Sequence, residues 1–121
     1  MEGLTKDDVF PLLKKVRPDL DYLIKEWTDD FEFGELQFPL FGDLGRVIEA
    51  NFESGNLNNV IILLDYMHKL ISSGDDYLEN IVTVGFLEGL FKVKEKNMTI
   101  IHDMMSKDLQ KAYKEINEYM G

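Results

Sequence analysis

Apolar residues recur along most of this chain at the three-to-four-residue spacing of amphipathic helices, and residues that cap or break helices separate the stripes. The pattern predicts helices over about residues 5–17, 19–27, 40–54, 56–73, 75–91, 99–105 and 106–120. No pair of strands is indicated. We therefore expect one all-α domain spanning residues 1–121, either a helical bundle or a short HEAT-like stack of about six to seven helices.

The boundaries of these helices carry local signals. Side chains placed to accept a hydrogen bond from a first-turn amide are Thr5, Asp19, Asn56, Asp75 and Ser106. Two similar junctions, Ser54-Gly55-Asn56 and Ser73-Gly74-Asp75, each place a helix-ending glycine directly before a cap. Such tight turns predict antiparallel neighbours, and the fourth helix, which is apolar on two faces, is expected to lie between them.

Four glycines lie inside helical patterns, where each costs roughly 1 kcal/mol relative to alanine; they are Gly42, Gly45, Gly85 and Gly89. Close approach of two helices is the usual compensation. We interpret Gly85 and Gly89, four residues apart, as a face that packs against the fourth helix. A flat patch for a partner is the alternative interpretation.

Residues 28–39 form the least regular part of the chain, because acids alternate there with aromatic residues. We predict an extended loop whose phenylalanines pin it to the helices. A loop of this length in a small domain is often functional. The alternative is an acidic loop that is merely held down by its buried aromatic side chains.

The charge is strongly negative and unevenly distributed. The chain has 13 basic and 23 acidic residues, a formal net charge of −10, and residues 26–91 alone contain 13 acids against two bases. A chain of this charge is repelled by phosphate backbones and anionic bilayers, so we expect neither nucleic acid nor a membrane as a direct partner. The same field would accelerate encounter with a basic protein, although acidity also serves solubility alone.

Candidate chemistry is sparse. There is no cysteine, no phosphate-binding glycine loop and no calcium-loop spacing, so we expect no catalytic site, no metal site and no cofactor. The one arrangement that would support a small hydrolase is Asp65 with His68, three residues apart on the fourth helix. The N-terminus has no signal-peptide pattern and no apolar run is long enough to span a bilayer, so we expect a cytoplasmic protein.

Two stretches of sequence are similar to a known group of proteins: residues 41–48, FGDLGRVI, and residues 74–90, GDDYLENIVTVGFLEGL. They resemble small all-helical bacterial immunity proteins found beside polymorphic toxins, including those of contact-dependent growth inhibition systems. The resemblance covers about residues 40–91, nearly half the chain. It implies a helical, HEAT-like fold and a cognate protein toxin as the partner.

The acids and the resemblance together give a function and a candidate site. We expect an immunity protein, monomeric alone and heterodimeric with its toxin, that covers a basic surface such as the active-site cleft of a nuclease. The expected contact residues are Asp29, Asp30, Glu32, Phe33, Glu35, Glu49, Glu53, Asp76 and Glu79. The alternative function is a helical protein-interaction or regulatory adaptor unrelated to toxins.

Overall fold

The computed structural model describes residues 4–29, 37–73 and 75–120, without side chains for 27–29, 37–38 and 119–120. Within these ranges the chain is a helical bundle that contains no strand, which confirms the predicted fold class. The α-helices are α1 (Val9–Val16), α2 (Asp21–Asp29), α3 (Gln37–Glu53), α4 (Leu57–Ile71), α5 (Asp76–Asn80), α6 (Glu95–Met104) and α7 (Lys107–Met120). A π-helical segment, Ile81–Leu87, continues α5, and 3-10 turns occupy Lys6–Asp8, Pro18–Leu20 and Leu90–Lys92.

Most helix ends lie where their capping residues predict them. The side chains of Asn56, Asp75 and Ser106 accept hydrogen bonds from amides three residues ahead, over 3.3, 3.0 and 3.3 Å. Thr5 forms a capping box with Asp8. Gly55 has φ +83°, the left-handed conformation expected at a helix end. The matching glycine of the second junction, Gly74, lies outside the described residues.

Asp19 does not cap the second helix, and this prediction was wrong. The helical turn begins at Pro18, and the Asp19 carboxylate instead binds the Arg17 guanidinium through two hydrogen bonds, 2.9 Å from Nε and 2.8 Å from Nη2. Arg17 is only 2% exposed and also donates from Nη1 to the Asn59 carbonyl over 3.1 Å. The arginine therefore fastens the α1–α2 corner onto the start of α4.

The fourth helix occupies the middle of the bundle, as its two apolar faces predict. α4 packs against α1, α3, α5 and α7, and six of its side chains are buried. One of them, Tyr66, donates its hydroxyl to the Val9 carbonyl over 2.7 Å, and burial raises the pKa of this phenol. A buried hydroxyl with a partner stays neutral and ties α4 to α1.

In the fifth helical stretch, residues 76–92, Gly89 packs against α3 rather than against α4, so the partner helix predicted for this glycine was wrong. A Cβ atom built on Gly89 would lie 2.7 Å from the Gly42 carbonyl oxygen. A Cβ atom built on Gly45 would lie 3.0 Å from the Gly89 carbonyl carbon. Two helical backbones thus approach closely enough that side chains at the crossing would separate them, and the π-helical segment forms its most extensive packing with α3.

Some boundaries differ from the sequence prediction. α3 begins at Gln37, so Phe38 and Pro39 are helical rather than part of a loop, and α2 extends through Asp29. α6 begins at Glu95, four residues before the start of the helix predicted at 99–105. Along the parts of the chain that the structure covers, no helix combines the length and the apolar character needed to cross a bilayer.

Candidate functional site: an acidic stripe on the fifth helical stretch

The predicted contact residues of the acidic loop fall mostly outside the structural description. Asp30, Glu32, Phe33 and Glu35 lie within residues 30–36, which the structure does not describe. Asp29 is the last residue of α2, and its side chain is likewise outside the described part. The site must therefore be built from the predicted acids on α3 and α5.

Two of those acids, Glu49 and Glu53 on α3, make intramolecular contacts. Glu49 accepts hydrogen bonds from the Lys94 backbone amide at 2.9 Å and from the Asn97 side chain at 3.3 Å. Glu53 accepts from Asn97 at 3.0 Å and from the Lys94 ammonium at 3.3 Å. Asn97 is 6% exposed and shares its amide group between both carboxylates. The pair therefore joins the end of α3 to the start of α6.

These contacts change the acidity of Glu53. Hydrogen bonding from Asn97, followed by the hydrogen bond and charge of Lys94, lowers the pKa of the Glu53 carboxyl. A group whose folded pKa is depressed stabilises the fold above its unfolded pKa, and this contribution is lost as the pH falls through the folded pKa. The junction is therefore weakened by acid.

We expect that replacing Asn97 with alanine will raise the pKa of Glu53 toward the usual glutamate range, because the largest stabilising contact with the carboxylate is removed. Side-chain carboxyl chemical shifts followed through an NMR pH titration measure this directly. Thr99→Ala, on the same helix, removes only a hydroxyl bonded to the Glu95 carbonyl and is the matched control. An unchanged Glu53 titration in the Asn97 variant would contradict the assignment.

The other two predicted acids, Asp76 and Glu79, lie exposed in the first turn of α5. At intervals of four residues from Asp76, Asn80 and Val84 are exposed, and Glu88, directly after the π-helical segment, is half-buried. We call Asp76, Glu79, Asn80, Val84 and Glu88 the acidic stripe. Val84 is 51% exposed, and residues 70–91 contain no lysine or arginine. The stripe therefore contains three acids, one amide and one exposed apolar side chain, and the exposed Lys92 follows Glu88 at the next interval of four.

The structure separates the two pairs of predicted acids. Glu49 and Glu53 contact Lys94 and Asn97, which follow the end of the fifth helical stretch, whereas Asp76 and Glu79 lie at its beginning. Val84 and Glu88 were not among the predicted contacts. They extend the surface from Asp76 toward the C-terminal end of this helical stretch.

The solvent face of the stripe is backed by an unusual backbone. Ile81–Leu87 is π-helical, with hydrogen bonds that span one residue more than those of an α-helix. Its buried side chains, Ile81, Val82, Phe86 and Leu87, belong to the core. Stretches of this kind are rare and frequently occur at functional sites. Val84, in the middle of the stripe, thus lies on a π-helical segment that packs closely on α3.

A protein-family model matches residues 10–121, which include nearly all of α1 and every later helix. The chain belongs to this family, a domain of unknown function designated DUF7674. The acidic stripe lies within the matched region, and only the first nine residues, with the cap at Thr5, lie outside it. No curated protein and no solved structure matches the chain.

In this DUF7674 domain, His68 of the Asp65–His68 hypothesis lies beside Ser72 and Asp108. Nδ1 of His68 lies 3.4 Å from the Ser72 hydroxyl and 3.9 Å from the Asp108 carboxylate, so the contacts of the imidazole are with α7 and its own helix end. In the described parts of the chain, no three metal-ligating side chains converge.

Proposed function

We propose that this DUF7674 domain binds a basic protein through the acidic stripe and acts as an immunity protein that neutralises a cognate bacterial toxin. The observation that carries the proposal is the stripe itself, in which Asp76, Glu79 and Glu88 share one helical stretch with the exposed Val84 and residues 70–91 contain no lysine or arginine. Charges that surround an apolar contact are the usual composition of a protein interface. The net charge of −10 would further accelerate encounter with a positively charged partner.

The resemblance to toxin immunity proteins supplies the class of partner. Its most specific part, residues 74–90, coincides with α5 and the π-helical segment, so the same residues carry the resemblance and the stripe. We infer a nuclease toxin, because an active-site cleft that attracts phosphate is basic and an acidic inhibitor would exclude its substrate. In this proposal the domain is a cytosolic monomer that forms a heterodimer with the toxin.

The first test is co-expression with the C-terminal region of the protein that the adjacent gene encodes. We expect growth to be restored and the two proteins to co-purify. Co-purification without growth rescue would favour the adaptor function over immunity. Absence of both would remove the neighbouring protein as the partner.

The second test reverses the charge of the stripe. We expect the Asp76→Lys/Glu79→Lys variant to bind the toxin about 10- to 100-fold more weakly, mainly through a slower association rate that depends steeply on salt. Surface plasmon resonance at two ionic strengths measures both rates. The matched control is Glu115→Lys/Glu118→Lys, which makes the same change in net charge at exposed positions of α7. Equal losses in both variants would show that net charge, and not the stripe, determines binding.

A further inference from the structure

A cavity of the opposite charge lies between α6 and α7. It has a volume of about 480 Å³ and is lined chiefly by Lys107, Lys111, Lys114, His102, Tyr113 and Asn117. No carboxylate lines it, although acids outnumber bases 23 to 13 in the chain. Basic side chains are therefore concentrated in one cavity of an acidic protein.

The three lysines follow one another at i, i+4 and i+7 and so share one face of α7. Like charges at these spacings repel each other and weaken an isolated helix. Over the described part of the chain, ion pairs to carboxylates are formed by Lys14, Arg17, Lys25 and Lys94, and none by these three lysines. Glu115 and Glu118, four residues after Lys111 and Lys114, offset part of this repulsion, and an anion placed among the ammonium groups would relieve the rest.

The wall of the cavity is aromatic and held in place. The Tyr113 ring packs edge-on against Phe91 and His102, with ring centres 5.5 and 5.9 Å apart. Burial raises the pKa of Tyr113, so its hydroxyl remains a neutral hydrogen-bond donor. Gln110 donates to the His102 backbone carbonyl over 2.8 Å and fixes α7 against the end of α6. A planar ring of a ligand bound beside the lysines would therefore contact aromatic side chains whose positions are fixed by packing.

We propose that this cavity binds a small, multiply charged phosphate compound. Its volume lies in the range of small-molecule sites, and lysines are common phosphate ligands. A long polyanion is disfavoured, because it would leave the cavity and run along a protein surface with a net charge of −10. A small anion stays within the local positive field, since charges further away than about 8 Å are screened at physiological salt. This site is independent of the proposed toxin partner.

Isothermal titration calorimetry with ATP and with tripolyphosphate at physiological salt tests the proposal on the whole chain. We expect saturable binding that is at least tenfold weaker in Lys111→Glu/Lys114→Glu. Binding should remain within about twofold in the control Lys15→Glu/Lys69→Glu, which makes the same charge change at exposed lysines elsewhere. Tighter binding of ATP identifies a nucleotide, and equal binding identifies the phosphate chain alone; both support the site.

Three results would overturn the proposal. The first is no saturable binding of either compound at millimolar concentration. The second is an equal loss in the two double variants, both verified as folded by circular dichroism. The third is tighter binding of a single-stranded oligonucleotide with the same lysine dependence, which would identify a polymeric ligand.

In NMR spectra, shifts confined to His102, Tyr113 and their neighbours on addition of ATP are the second expected readout.

Discussion

Replacing Gly89 with alanine is expected to destabilise the protein by about 2–3 kcal/mol, the upper part of the range for overpacking a tight contact. The new methyl group would lie 2.7 Å from the Gly42 carbonyl oxygen and 3.1 Å from the Gly42 Cα atom. These are backbone atoms of α3, so no side-chain rotation can make room for it. The loss should appear in the free energy of unfolding measured with urea.

The opposing glycine provides a matched control. A Cβ atom built on Gly42 meets nothing within 4 Å, so Gly42→Ala should stabilise the protein by up to about 1 kcal/mol through helix propensity. Gly45→Ala, with contacts of 3.0 and 3.1 Å to the Gly89 carbonyl group, should be less harmful than Gly89→Ala. If Gly89→Ala and Gly42→Ala had the same stability, the close approach of the two helices would be refuted.

This crossing shows what helical spacing can and cannot predict. Gly85 and Gly89 are spaced as a packing face, and their cost to the helix indicated close approach. The spacing does not say which helix lies opposite. Consecutive antiparallel helices made α4 the natural choice, yet Gly89 lies against Gly42 and Gly45 of α3. A helix-to-helix contact depends on the arrangement of the whole bundle, which no local pattern contains.

Predictions that depend on only a few neighbouring residues were more reliable, because they do not require knowledge of how the whole bundle is arranged. The caps at Thr5, Asn56, Asp75 and Ser106 need only amides two or three residues ahead, and all four form. The failure at Asp19 came from a competitor, the guanidinium of Arg17. That arginine needs the carboxylate because it is buried against α4, and its contact with Asn59 lies 42 residues away in sequence.

The candidate site likewise combines features that the local sequence predicts with features that depend on residues far away in the chain. The exposure of Asp76 and Glu79 follows from their place in a first helical turn, and it was predictable. Glu49 and Glu53 are bound by residues 41 to 48 positions later, which no periodicity indicates. The π-helical segment was also missed, because seven residues are too few to distinguish its period from that of an α-helix.

Replacing Asp19 with alanine is expected to cost about 2–3 kcal/mol in the free energy of unfolding. The change leaves the Arg17 guanidinium, 2% exposed, without its counter-charge, and unpaired buried charges are strongly destabilising. This cost is below the usual 3–5 kcal/mol for breaking a buried ion pair, because the Asp19 side chain is half exposed. Asp21→Ala is the control: its ion pairs with Lys14 and Lys25 span 3.7 Å between exposed groups and should contribute less than about 1 kcal/mol.

The same pair predicts how stability changes with acid. The hydrogen bond from Arg17 lowers the pKa of Asp19, so its contribution is complete above the unfolded pKa of about 3.9 and is lost as the pH falls through the lower folded pKa. The difference in the free energy of unfolding between the natural chain and Asp19→Ala should therefore shrink below about pH 4. A difference that stayed constant down to pH 2 would mean that Asp19 acts through packing and not through its charge.

Adding Arg17→Met to Asp19→Ala should recover part of the loss, because the second change removes the buried charge that the first one leaves unpaired.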